Sequence, residues 1–83
     1  MKEPAEIPVI DVRPVLAAGG EPLEAIVNLA AATPPGAVFV DVAPYDPAPL
    51  RSLLAGGGFD ATAQETAPGQ WRVLFRRRAS AQG

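Results

Sequence analysis

Asp11-Val12-Arg13-Pro14-Val15-Leu16-Ala17-Ala18-Gly19-Gly20-Glu21-Pro22-Leu23 is the stretch that decides the fold of this chain. Just upstream, Ile7-Pro8-Val9-Ile10-Asp11-Val12 is β-branched and bounded by Pro4 and Pro14, which reads as a first strand. Pro8 has no N–H to give a ladder and suits the beginning or an edge of that strand. Arg13 to Gly20 then reads as a loop, with a proline near one end and two glycines at the other. Pro22 suits the first turn of a helix, where its missing N–H costs nothing. Leu23, Ile26, Val27, Ala30 and Ala31 follow at helical spacing and leave Glu24 and Asn28 to water. Pro34-Pro35-Gly36 stops that helix and turns the chain.

Working outward, Ala37 to Val42 is the clearest strand, with Val38, Val40 and Val42 on one face and Phe39 and Asp41 on the other. Asp46 before Pro47 predicts an N-cap and a first helical position. Leu50, Leu53 and Leu54 supply the apolar stripe of this short second helix, which Gly56-Gly57-Gly58 ends. Phe59 to Thr66 reads as a weaker strand, Pro68-Gly69 as a turn and Gln70 to Arg77 as a strong last strand. The order is strand, helix, strand, helix, strand, strand. The first two strands are expected parallel across a right-handed crossover, and the last two as a hairpin. Each helix has a single apolar stripe, so both cover one face of a four-stranded sheet. The predicted architecture is an α/β (α+β) two-layer sandwich, βαβαββ, with a mixed sheet whose other face is bare.

Bulk properties bound the function. Eighty-three residues make one small domain, which buries about 60% of the surface its unfolded chain exposes. The hydrophobic fraction of 48% belongs to a globular protein, although sixteen alanines add little core volume. A net charge of −2 gives no mean field for binding a polyanion. There is no cysteine and no histidine, which excludes disulfides, thiolate metal sites and persulfide chemistry. With only Asp and Glu remaining and no Asp-x-Asp-type loop, neither a metal nor a cofactor is expected. The start, Met1 to Glu6, has no apolar signal core, and no run approaches the ~18 apolar residues of a membrane span. The expectation is a cytoplasmic domain with an ordered core over 6–78 and a flexible tail over 79–83.

Asp11-Val12-Arg13-Pro14, Glu21-Pro22-Leu23, Pro44-Tyr45-Asp46-Pro47-Ala48-Pro49-Leu50, Gly58-Phe59 and Gly69-Gln70-Trp71-Arg72-Val73 together resemble the TusA-like (SirA-like) domains. The chain is most similar to a cysteine-free branch of them, domain of unknown function 2249, over residues 9 to 77. In the sulfur carriers of that fold, Asp-x-Arg leads into a Cys-Pro-x-Pro motif at the first helix. Aligning the last proline of the motif on Pro22 puts Gly19 at the cysteine and Gly20 at the first proline, with the loop two residues longer than usual. The resemblance implies the two-layer fold, removes the persulfide-carrier activity and points to bacterial redox, sulfur or nitrogen-oxide metabolism.

Candidate sites follow from the residues. Arg13, Gly19 and Gly20, with Tyr45 lining a pocket at the carboxyl ends of the first two strands, form one. Free N–H groups at a helix start and a guanidinium fork suit a carboxylate, sulfur oxyanion or phosphate. The reading preferred for these residues is that Gly19-Gly20 merely turns the chain and Arg13 pairs with Asp11 or a carbonyl. No nucleophile is at hand, the nearest hydroxyl in sequence being Thr33. The second candidate is the bare sheet face. With Trp71, Val73 and Phe75 toward the helices, Arg72, Leu74 and Arg76 face solvent, joined by Phe39 and Asp41. Aromatic and arginine residues around an apolar centre suit a protein partner or a second copy of the chain. Arg76-Arg77-Arg78 does not make nucleic acid the expected partner, since the chain is acidic and lacks a stacking pair of aromatics. The leading expectation is a non-enzymatic accessory domain that binds a protein. The alternative is a small-anion or metabolite sensor at the start of the first helix.

Overall fold

The computed structural model describes residues 7–79, so the readings of Met1 to Glu6 and of the tail over 80–83 lie outside the described residues. The elements are β1 (Val9–Asp11), α1 (Arg13–Ala17), α2 (Leu23–Ala31), β2 (Val38–Ala43), α3 (Ala48–Gly56), β3 (Phe59–Ala67) and β4 (Gln70–Arg77). The sheet has four strands in the order β1-β2-β4-β3. β1 runs parallel to β2, while β4 is antiparallel to both its neighbours. The mixed two-layer α+β architecture is therefore as predicted. Among the described residues no helix is long and apolar enough to cross a membrane.

A helix absent from the sequence reading occupies the expected loop. α1 is five residues long, with Pro14 in its first turn. Gly19 and Gly20 end it. Gly19 has φ of 82°, its N–H donates to the Leu16 carbonyl at 3.0 Å, and that of Gly20 donates to the Val15 carbonyl at 2.8 Å. These two bonds are those of a Schellman stop, with glycine in the left-handed position. A Cβ on Gly20 would stand 2.8 Å from Val15 Cγ1, so this approach also needs a glycine.

The predicted cap of α3 is a second correction. α3 begins at Ala48 with no side-chain cap. Pro49 lacks the N–H that a capping Asp46 carboxylate would accept, and the Ala48 N–H donates to the Asp46 carbonyl at 2.9 Å. The carboxylate turns instead to Arg51, which donates from Nε at 2.9 Å and Nη2 at 2.8 Å.

Register assigns the two sheet faces. Directly opposed residues of paired strands share a face, and Phe39 opposes Phe75, Asp41 opposes Val73, and Ala43 opposes Trp71. Phe39 and Asp41 thus point to the helices, not to the bare face where the sequence reading put them. Phe39 is 0% exposed and stacks on Phe75 at 5.1 Å between ring centroids, with Phe59 edge-on at 5.9 Å. Ile26, Ala30 and Leu54 from the helices close this core. The bare face carries Val38, Val40 and Val42 of β2 beneath Arg76, Leu74 and Arg72 of β4. Apart from Asp41, β2 is apolar on both sides.

Candidate functional site

Three places hold the candidate residues, and the fold keeps them apart. At the corner where β1 becomes α1, Arg13 donates to both carboxylate oxygens of Asp11, from Nε at 2.9 Å and Nη2 at 2.7 Å. Its Nη1 donates to Gln70 Oε1 at 3.2 Å. The Asp11 carboxyl is held down to about 2, chiefly by the side-chain hydrogen bond from Arg13 and then by the Arg13 backbone N–H. Arg13 is spent within the chain, and Gly19 and Gly20 are spent ending α1. The anion fork expected from these three residues is therefore not assembled.

Tyr45 belongs to a different place, a pocket of about 230 Å³ at the carboxyl ends of β1 and β2 on the helix side. Such a position is where open α/β sheets commonly hold ligands. Leu16, Leu23, Ile26 and Leu50 form apolar walls contributed by α1, α2 and α3. Glu21 and Tyr45 stand on its rim, the latter 54% exposed. Asp41, from the middle of β2, lines the interior. It is 1% exposed, and its Oδ1 has no hydrogen-bond partner. Burial pushes this carboxyl up to about 6, helped by the negative charge of nearby Asp11. An unpaired buried carboxylate costs several kcal/mol of desolvation in principle, so its presence needs a reason.

Asp41 is the residue that sequence reasoning missed. The signal was there: a lone carboxylate inside Val38-Phe39-Val40-Asp41-Val42-Ala43, a run otherwise apolar on both faces. Alternation within β2 does not say which side is covered, because that depends on its register against β4.

The third place is the bare face. Arg72 and Arg76 are exposed and Leu74 between them is half-buried, while Val40 and Val42 beneath are 4% and 5% exposed. Strand alternation splits the basic run. Arg77 turns to the helix side, donates to the Thr33 carbonyl at 2.9 Å and lies 5.7 Å over the Phe59 ring. Arg78 pairs with Asp60 at 2.6 Å. Arg76 donates only to the Gly36 carbonyl, at 3.2 Å. Among the described residues there is no continuous basic patch of the kind a nucleic acid would track. Among the described residues, no group of three or more acidic side chains converges to hold a metal ion.

A four-stranded mixed sheet in the order β1-β2-β4-β3 with its helices on one face defines a small two-layer α+β class. Within that class, the chain belongs to the family described as uncharacterized conserved protein (DUF2249), whose model matches residues 9–77. Searches of curated proteins and of solved structures gave no match.

Proposed function

We propose that the domain is a non-enzymatic, cytoplasmic accessory module that docks a protein partner on its bare sheet face. One observation carries this reading. The two acids at the edges of that face, Asp11 and Asp60, are already paired within the chain to Arg13 and Arg78. Among the described residues no acid pairs with Arg72 or Arg76, which stand on either side of Leu74 in a molecule that is net negative. A partner presenting carboxylates around an apolar side chain matches that pattern. The charge of Arg76 stays unanswered, because its one internal acceptor is a neutral carbonyl. The resemblance to the sulfur-carrier fold supports seeking the partner in bacterial redox, sulfur or nitrogen-oxide metabolism. The absence of any cysteine supports a docking role over a carrier role.

The test compares the tagged wild type with a Leu74→Glu/Arg76→Glu variant, first in capture from cell extract and then with purified captured partner by calorimetry. A partner bound directly by the wild type, more weakly as salt rises, and not by the folded variant is the expected result. Undiminished affinity in a variant with native circular dichroism sinks the assignment of this face.

A further inference from the structure

The Asp41 pocket lies on the opposite side of the sheet from the docking face and is independent of it. We propose that it is a binding site for a small organic amine, whose ammonium reaches the buried Asp41 carboxylate while its apolar body fills the space between α1, α2 and α3. Three observations converge on that chemistry. The first is shape: a volume of about 230 Å³ exceeds the ~150 Å³ cavity that holds a benzene ring, so an aromatic or branched body with a short arm fits. The second is the lining. Its walls are leucine, isoleucine, proline and alanine, and its charged groups are Asp41 and Glu21, both acidic, with no basic or amide side chain among them. A ligand bringing a carboxylate or phosphate would meet two like charges and no compensating donor side chain. The third is the orphan oxygen. Asp41 lines the pocket and its buried Oδ1 has no partner, so a donor brought by a ligand supplies what the chain withholds.

The surroundings of Asp41 agree with a cationic head. The charged and titratable groups near it are Asp11 from β1, Glu21 ahead of α2 and Tyr45 beyond β2. Arg13, the nearest cation in sequence to that corner, is engaged by Asp11 and Gln70. The N-terminal end of α2 faces the same region and by its dipole opposes a cation, but Glu24 in its first turn and Glu21 before it offset that field. Tyr45, exposed at the rim, is placed to cover the ligand body once it is seated.

The experiment titrates the purified domain at neutral pH with phenethylamine, phenethyl alcohol and hydrocinnamate, following amide shifts by two-dimensional NMR. These probes share a body and differ in the head: cationic, neutral and anionic. The expected result is saturable shifts for the amine alone, clustered at Leu23, Ile26, Ala43 and Leu50. Asp41→Asn should weaken the amine by about tenfold or more, the worth of one charge-assisted hydrogen bond. Because Glu21 is exposed, Glu21→Gln cannot unfold the chain, and it should weaken the amine by a smaller factor. Saturable binding of hydrocinnamate, or equal affinity for all three heads, overturns the proposal. So does a linear amine response up to solubility, which would leave a pocket holding only water. An amine affinity unchanged in folded Asp41→Asn overturns it as well. None of these outcomes bears on the docking face, whose variant is expected to bind the amine as the wild type does.

Discussion

Asp11 and Asp41 sit on neighbouring strands one residue out of register, Ile10 being the one opposite Asp41, and so they face opposite sides of the sheet. Asp11, on the bare side, is exposed, gripped by Arg13 and held down to about 2. Asp41, on the helix side, is buried, unpaired on Oδ1 and pushed up to about 6. The same side chain therefore spans about four pKa units across a few ångströms of backbone. The helix layer makes the difference. Where it is absent, charges find arginines or water and perturb stability little. Where it is present, every polar group must be answered from inside, and the one that is not marks the place where an outside molecule has something to offer.

The largest expected effect tests the assignment of the faces. Phe39→Ala removes the centre of the aromatic stack and should cost about 3–5 kcal/mol, comparable to the whole stability of so small a domain. Urea denaturation should show no cooperative transition, whereas Leu74→Ala on the bare face should shift the midpoint only slightly. A folded Phe39→Ala of wild-type midpoint would return that ring to the bare face.

Next in size is the pH dependence of the two aspartates, which has opposite signs. A carboxyl raised from 3.8 to about 6 on folding makes stability fall as pH rises through that window, because the folded state holds the proton longer. The loss should be complete by about pH 7 and amount to about 3 kcal/mol. Asp41→Asn should abolish that fall and be the more stable protein at pH 8, measured by denaturant midpoints across pH. A wild-type curve flat between pH 4 and pH 7 would mean that the carboxylate is answered within the chain. Asp11 behaves the other way: its contribution is present above 3.8 and disappears as pH falls toward about 2.

Smaller again is the stop of α1. Gly19→Ala places a side chain at φ of 82° and should cost about 1 kcal/mol, a fall of about 4–8 °C in Tm. An unchanged Tm would show that the loop does not need the left-handed turn. The smallest effect is expected from Arg13→Ala. The ion pair it breaks is exposed, so the change in Tm should be slight and should shrink further in high salt. A large loss would mean that the contact with Gln70, rather than the ion pair, ties the β1 corner to β4.

The strands, the two longer helices and the turn at Pro68-Gly69 could be read from the chain, because they depend on local periodicity and on proline and glycine punctuation. β4 runs over the predicted Gln70 to Arg77, and the hairpin turns where expected, on Gly69 with φ of 73°. α1 escaped because five residues show too little periodicity to be told from a loop. Only the glycine pair after it, understood as a Schellman stop, would have given it away. Asp46 does not cap α3, because Pro49 lacks the donor and Arg51, about one helical turn on, supplies a better partner.

Composition alone also excluded thiol chemistry, since no arrangement of a chain without cysteine can supply it. What the tertiary structure decided was which side of the sheet each residue serves. Alternation along β2 separates Phe39 and Asp41 from Val38, Val40 and Val42 but does not name the side that the helices cover. That choice is made by pairing with β4, because opposed residues on neighbouring strands must share a face. Once Phe39 stands opposite Phe75, Asp41 is carried into the covered layer with it. A carboxylate that looks solvated in one dimension becomes the buried, unanswered group of the pocket.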